Sequence, residues 1–462
     1  MRHIWTSSLG AIAIATTAPA SAQDAAGVEA MRAEIATLKA QVQAMEARMN
    51  AMAAPAQSAS VGSVPDAVAP AGTPPLMDTA AAPAAPAEPR TEIVWKGAPQ
   101  IINKAGWSFK PRGRLQYDTA YVSSPRGIDD TGLGFSNELR RGRLGVEGTF
   151  PGGFLYKFEI DFADNRVELT DAFLGYADKG FNLVIGQHNP FQSLDELTSS
   201  RFSTFIERAA FTDAFNFERR VGVSAGYTTG DLLVNLGVFT DNITDLADDA
   251  NNSRSVEGRA VYMPKLGDTQ LHLAGSFHLR DLGDVPGARY RQRPLVHATD
   301  VRFIGTPALP VTDETSYGLE AAAIHGPLHV AAEAHWLNPT LEAAGDPTFF
   351  GGYAEVGWFI TGERRGYRGG QWERTPPLRP VGEGGIGAFQ LNARYDHLDL
   401  NDAGILGGRQ QGYLASLIWT PIAYVRFGVN YGHLIYDDAA LPSLDGRDYS
   451  VDVLGMRAEV DF

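Results

Sequence analysis

From Trp107 to Phe462 apolar residues return at every second position, and this period of two restricts the fold more than any other feature of the chain. Phe154, Tyr156, Phe158, Ile160 and Phe162 share one face of a run whose other face carries Lys157, Glu159 and Asp161. Leu271, Leu273, Phe277 and Leu279 oppose His272, Ser276, His278 and Arg280. Phe389, Leu391, Ala393 and Tyr395 oppose Gln390, Asn392, Arg394 and Asp396. A soluble sandwich alternates too, but its strands usually span about 5 to 6 residues and bury one face against a partner sheet. Many runs here last about 9 to 12 residues, the length that crosses a bilayer when tilted.

Such runs fall near 107–122, 139–150, 154–163, 168–178, 181–187, 221–229, 231–240, 254–263, 270–280, 316–325, 327–337, 351–361, 387–398, 412–420, 423–433 and 448–462, sixteen in all. The expectation is an all-β fold, a transmembrane antiparallel barrel that alternates short turns on one rim with longer loops on the other. Pro151-Gly152-Gly153, Asp178-Lys179-Gly180, Thr229-Gly230, Pro264 to Asp268, Gly326-Pro327 and Thr420-Pro421 supply tight turns. Two connections break the rule: Asp164 to Val167 is short where a loop is expected, and Gly362 to Ile386 is long where a turn is expected.

The segment before the barrel reads differently. Arg2, a mostly apolar run and Ala20-Ser21-Ala22 form a secretory signal over residues 1–22. Val28, Met31, Ile35, Leu38, Val42, Met45, Met49 and Met52 then alternate spacings of three and four, a coiled-coil seam that makes 23–53 a short N-terminal oligomerisation helix. Residues 54–91 form an Ala/Pro-rich extended linker, and 92–462 form the barrel domain. No uninterrupted apolar run is long enough for a helical membrane span.

The last run places Leu454, Met456, Ala458, Val460 and Phe462 outward and Arg457, Glu459 and Asp461 inward. A terminal Phe462 closing such a strand resembles the signal read by the barrel assembly machinery. Trp107, Tyr121, Tyr176, Tyr227, Trp336, Trp358, Trp419 and Tyr431 lie near run ends, as aromatic girdles require.

Five stretches carry a family likeness. Arg140-Arg141-Gly142-Arg143-Leu144-Gly145-Val146-Glu147-Gly148, Gly186-Gln187-His188-Asn189-Pro190-Phe191, and Leu197 to Arg201 with Thr204 to Arg208 resemble the phosphate-selective porin O and P family, as do Trp358 to Glu363 and Asn392 to Asp402. The resemblance covers roughly 105–462. It implies a sixteen-stranded porin in the outer membrane of a Gram-negative bacterium, a homotrimer with its third loop folded into the pore and arginines lining the path of small anions. The N-terminal region would then be periplasmic, and the partners would be outer-membrane lipid and small anions, phosphate or polyphosphate being the candidates.

Elementary electrostatics agrees that an anion path needs fixed cations where the lumen narrows. The chain has 32 Arg and 7 Lys, and arginine stays charged and forks onto oxyanions. The candidate anion-pathway residues are Arg112, Arg114, Arg140, Arg141, Arg143, Arg201, Arg208, Arg219 and Arg220. Arg112 and Arg114 share lumen parity, as do Arg141 and Arg143; Arg140 falls on the opposite one, so either Gly142 marks a bulge or Arg140 snorkels from a strand end. The third loop, His188 to Arg220, also carries Asp195, Glu196, Glu207, Asp213 and Glu218, so its arginines could equally brace it by ion pairing. It contains no lysine, which the resemblance associates with strong phosphate selectivity.

Other functions are disfavoured. A net charge of −15 argues against nucleic-acid binding, and zero cysteines exclude disulfides and thiol catalysis. Neither a Gly-x-Ser-x-Gly elbow nor His-Glu-x-x-His occurs, so no enzyme, catalytic residue, metal site or cofactor is expected. His272 with His278 and His329 with His335 lie about 20 Å apart along a strand, too far to share a metal, and read as solvated lumen residues. The alternatives are a weakly selective porin for other small solutes, or an envelope tether whose barrel is mainly an anchor.

Overall fold

Sixteen antiparallel strands follow one another in a computed structural model that describes residues 91–247, 252–342 and 345–462. They are β1 Ser108–Val122, β2 Gly134–Phe150, β3 Phe154–Asp161, β4 Glu168–Asp178, β5 Phe181–His188, β6 Arg220–Thr229, β7 Leu232–Phe239 and β8 Arg254–Tyr262. The second half comprises β9 Thr269–Asp281, β10 Val311–His325, β11 Leu328–Leu341, β12 Phe349–Phe359, β13 Ala388–Asp402, β14 Ile405–Ile422, β15 Val425–Asp437 and β16 Tyr449–Asp461. Each pairs with its sequence neighbour, and β16 returns to β1 from Val453↔Val122 to Asp461↔Arg114, closing a barrel without a free edge. The signal and coiled-coil expectations lie outside the described residues.

Burial is inverted relative to a soluble protein. In β16 the outward Leu454, Met456 and Val460 are exposed, while the inward Arg457, Glu459 and Asp461 are buried. The same holds round the wall: Tyr117, Leu144, Leu236, Leu319 and Leu417 face out, and Gln116, Glu159, Arg259, Glu320 and Asn392 face in. Such a surface is stable only against lipid, since the strands pair with one another round a closed wall and the apolar area lies outside.

Both irregular connections are real. Residues 162–167 join β3 to β4 in six residues on the rim that otherwise bears long loops. Residues 360–387 join β12 to β13 on the short-turn rim and fold into the lumen instead of hanging beyond it, with Trp372 buried and its backbone N–H donating to Thr198 Oγ1 (3.3 Å). From the other rim, Phe205, Phe211, Leu295, Val296, Phe303 and Ile304 fold inward and bury an apolar cluster with Leu398, Leu434 and Val451 of the wall. The open lumen is therefore displaced towards β1–β7.

Before the barrel, Thr91–Trp95 and Pro99–Asn103 form a hairpin whose second strand pairs with β1 through Ile101↔Phe109 and Ile102↔Ser108.

Candidate pore and its narrowing

The third loop, 189–219 between β5 and β6, crosses the lumen and is pinned to the opposite wall by carboxylates. It turns inward at Ser193, whose φ of +67° is left-handed, and continues into the short helix α1, Leu194–Leu197. The backbone N–H groups of Leu194 and Asp195 donate to the Glu333 carboxylate of β11 (3.0 and 2.8 Å). Asp195 accepts from Arg394 of β13 (3.1 Å) and from the N–H of Ala209 (2.9 Å). Thr204 donates to Glu355 of β12, and Ala210, the first residue of α2 (Ala210–Ala214), donates to Asp396 of β13. Charged acceptors of backbone N–H groups are among the stronger protein hydrogen bonds, and these pin the loop to the β11–β13 wall.

Opposite this latch stands a wall of arginines, into which two bulges turn extra residues. In β2, Arg141 pairs with Gln116 and Leu139 with Tyr117, so Arg140 is the extra residue. Both Arg140 and Arg141 thereby reach the lumen. The bulge anticipated at Gly142 thus lies two residues earlier, and no snorkelling is involved, since Arg140 donates twice to Glu207 of the third loop (2.9 and 3.2 Å). In β4, Thr170 is the extra residue, which turns it and Asp171 inward together.

Most of the arginines are paired. Arg143 binds Glu159 and Asp161 of β3 (3.2 and 2.7 Å), Arg219 binds Asp171 (2.9 Å) and Arg201 binds Asp461 (3.0 Å). Arg112 binds Glu147, and Arg208 meets Glu196 (3.4 Å) while donating to the carbonyls of Asp195 and Thr198. Burial drives the Glu207 carboxyl upward, but Arg140 and Arg457 outweigh it and hold the group well below the usual carboxylate range. Arg114 donates to Ser200 (2.8 Å) and Arg141 to Gln116 (2.9 Å); among the described residues neither meets a carboxylate.

Two cavities flank the third loop. One, of about 590 Å³, lies towards the short-turn rim, where Thr228 and Leu233 border the β6–β7 turn. Its lining carries ten Lys or Arg side chains, among them Arg112, Arg114, Arg141 and Arg201, against three carboxylates, Glu159, Asp171 and Glu373. The other, of about 500 Å³, lies towards the long-loop rim and is balanced, five arginines including Arg140 facing five acids. Among the described residues three side chains line both cavities, Arg143, Arg208 and Arg219. The boundary between the two chambers is thus lined by guanidinium groups, of which Arg208 and Arg219 are the most open, their side chains 22% and 24% exposed.

Residues 109–462 match the sequence profile of the phosphate-selective porin O and P family. The chain belongs to that family. An uncharacterized protein of Caulobacter vibrioides is 49% identical over 455 residues, covering 94% of this chain and 90% of its own. Among solved structures, the anion-selective porin from Comamonas acidovorans aligns at a TM-score of 0.50 with 14% identity, over 77% of this chain and all of that one. The outer membrane channel DcaP of Acinetobacter baumannii aligns at 0.48 with 16% identity, over 78% of this chain and 98% of that one. The protein is an outer-membrane porin, a channel and not an enzyme.

Eight of the nine candidate arginines of this porin line one or both chambers. Arg220 lines neither; it is buried between Asp241 (3.2 Å) and Glu218 (3.1 Å) at the base of β6. Lys157, Arg259, Arg293 and Arg368 also line the chambers and were not among the candidates. The inward parity of Lys157 and Arg259 was a usable signal. Arg368 had none, because it arrives on a segment without strand periodicity. The four paired histidines face the lumen as expected but are not solvated. His272, His278, His329 and His335 are buried: Tyr367 (2.6 Å from His272), Trp372 and Phe211 from the inward-folded segments cover His272, His329 and His335, and His278 lies against Glu257 (2.9 Å).

Proposed function

We propose that this porin conducts small anions by passive diffusion through the passage framed by Arg143, Arg208 and Arg219. The observation that carries the reading is that the residues common to both chambers are all arginines. An anion entering from the balanced outer chamber exchanges part of its hydration shell for forked guanidinium donors at the passage and moves on into the cationic inner chamber. Pairing with Glu196 and Asp171 keeps Arg208 and Arg219 from trapping it, since each holds an anion with only part of its charge. Arg141 and Arg114 supply unneutralised charge behind the passage. Phosphate is the natural substrate class for such donors, and Lys157 in the inner chamber supplies an ammonium that the third loop lacks. The porin works as a homotrimer with its short-turn rim in the periplasm, a reading supported by family membership and by the heptads of residues 28–52.

Reversal potentials in a KCl gradient across a planar bilayer test this. Anion preference is expected, with chloride current blocked by added phosphate, and both effects weaken in Arg208→Gln and Arg219→Gln. Cation preference, or selectivity untouched in both variants, sinks the assigned path. Anion preference indifferent to phosphate retains the path and reassigns the solute.

A further inference from the structure

We infer that the hairpin Thr91–Asn103 is an inserted part of the barrel wall, filling the seam beneath β16 and presenting Ile93, Trp95 and Ile101 to the lipid of the leaflet at the short-turn rim. β1 pairs with β2 down to Ser108↔Thr149, but with β16 only down to Arg114↔Asp461, below which one last pair of bonds joins Gly113 and Phe462. The edge of β1 from Ser108 to Arg112 would then face lipid with unpaired backbone groups, which a membrane does not tolerate. The hairpin's second strand takes the lower part of that edge through Ile101↔Phe109 and Ile102↔Ser108, and its first strand adds beyond it from Thr91↔Asn103 to Trp95↔Pro99.

The hairpin tip reaches up under the end of β16. Ala98 is buried, and Gly97 lies so close to the Tyr424 ring, in the turn between β14 and β15, that a Cβ there would stand 2.5 Å from it. The carbonyl of Tyr424 in turn accepts from the N–H of Asp461, so the hairpin is wedged between β1 and that turn. Its outward face follows from the pairing. Residues directly opposite in a ladder share a face, so Ile101 lies on the side of Phe109, which belongs to the lipid-facing set of β1, and Ile93 opposite Ile101 lies there too. Ile93 and Trp95 are each 72% exposed, more than most of the apolar residues of the barrel's own outer band. Continuity with that band makes lipid the occupant.

The chain contains no cysteine, so Trp95→Cys introduces a single thiol for a nitroxide label in proteoliposomes. Ile93→Cys reports the same face should the first variant fail to fold, and only samples that resist SDS before heating are read. Expected is collision with oxygen several-fold above that of a label at Asp445→Cys on a loop, with nickel-complex collision several-fold below it, matching Phe109→Cys. Access to the nickel complex puts the face in water and overturns the inference. So does protection from both reagents, and so does spin–spin broadening that vanishes on dilution with unlabelled protein, which would place a second copy there.

Discussion

Glu196 is the residue through which pH should act on this pore. Burial pushes its carboxyl up to about 7, against the pull of Arg208 and Arg219 and with a further push from Asp195. Below that value the group is neutral and Arg208 keeps its full charge towards the passage; above it the carboxylate cancels part of that charge. Anion preference measured in KCl should therefore fall as pH rises through about 7, and Glu196→Gln should hold the low-pH preference throughout. An unchanged pH profile in that variant would remove Glu196 from the account. The arginines divide by what their loss leaves behind. Arg141→Met strands no carboxylate and should lower anion preference with little change in the temperature at which the barrel unfolds in SDS. Arg457→Met leaves Asp118 (2.6 Å) facing the interior without its guanidinium and weakens the hold on Glu207, a loss of the order of 3–5 kcal/mol for a broken buried pair, and should lower that temperature clearly. Equal shifts in both variants would contradict this division.

At the scale of elements, the third loop is held by acceptors that are remote in the chain but adjacent in the lumen. Glu333 alone takes two backbone N–H groups of α1 and the Tyr353 hydroxyl (2.9 Å). Glu333→Ala should unlatch α1 and appear as excess open-channel noise and sub-conductance steps in single-channel records; a quiet channel of unchanged conductance would mean the remaining anchors suffice. The strands themselves are legible in the sequence because one face meets lipid and the other water, and that contrast writes a period of two into all sixteen. The lumen parity of Arg112, Arg114, Arg141 and Arg143 was readable for the same reason. What escapes is whatever interrupts the period or arrives from elsewhere. The extra residues Arg140 and Thr170 each shift parity by one, and nothing in their neighbours' hydropathy marks where a ladder slips. Residues 360–387 carry no period, so their length was visible but not their inward path. The latch acids Glu333, Glu355 and Asp396 read as ordinary inward positions, since only the folded loop selects them as anchors.

For the whole molecule, the pore and the N-terminal segment are separable in principle. Deleting residues 24–90 should leave single-channel conductance and selectivity within experimental scatter of the full chain, because both chambers are lined by residues of the barrel, its loops and its turns. A changed conductance would show that the segment reaches the path. The wall itself sets a further property. The chamber at the short-turn rim carries ten cationic side chains against three carboxylates, whereas the chamber at the other rim is balanced. Ions thus meet a lopsided fixed-charge profile along the axis. A conduit of that kind behaves as a diode: the polarity that drives anions out of the cation-rich end depletes it of carriers, and the opposite polarity fills it. The current–voltage curve of channels inserted in one orientation should bend, even in identical salt on both sides.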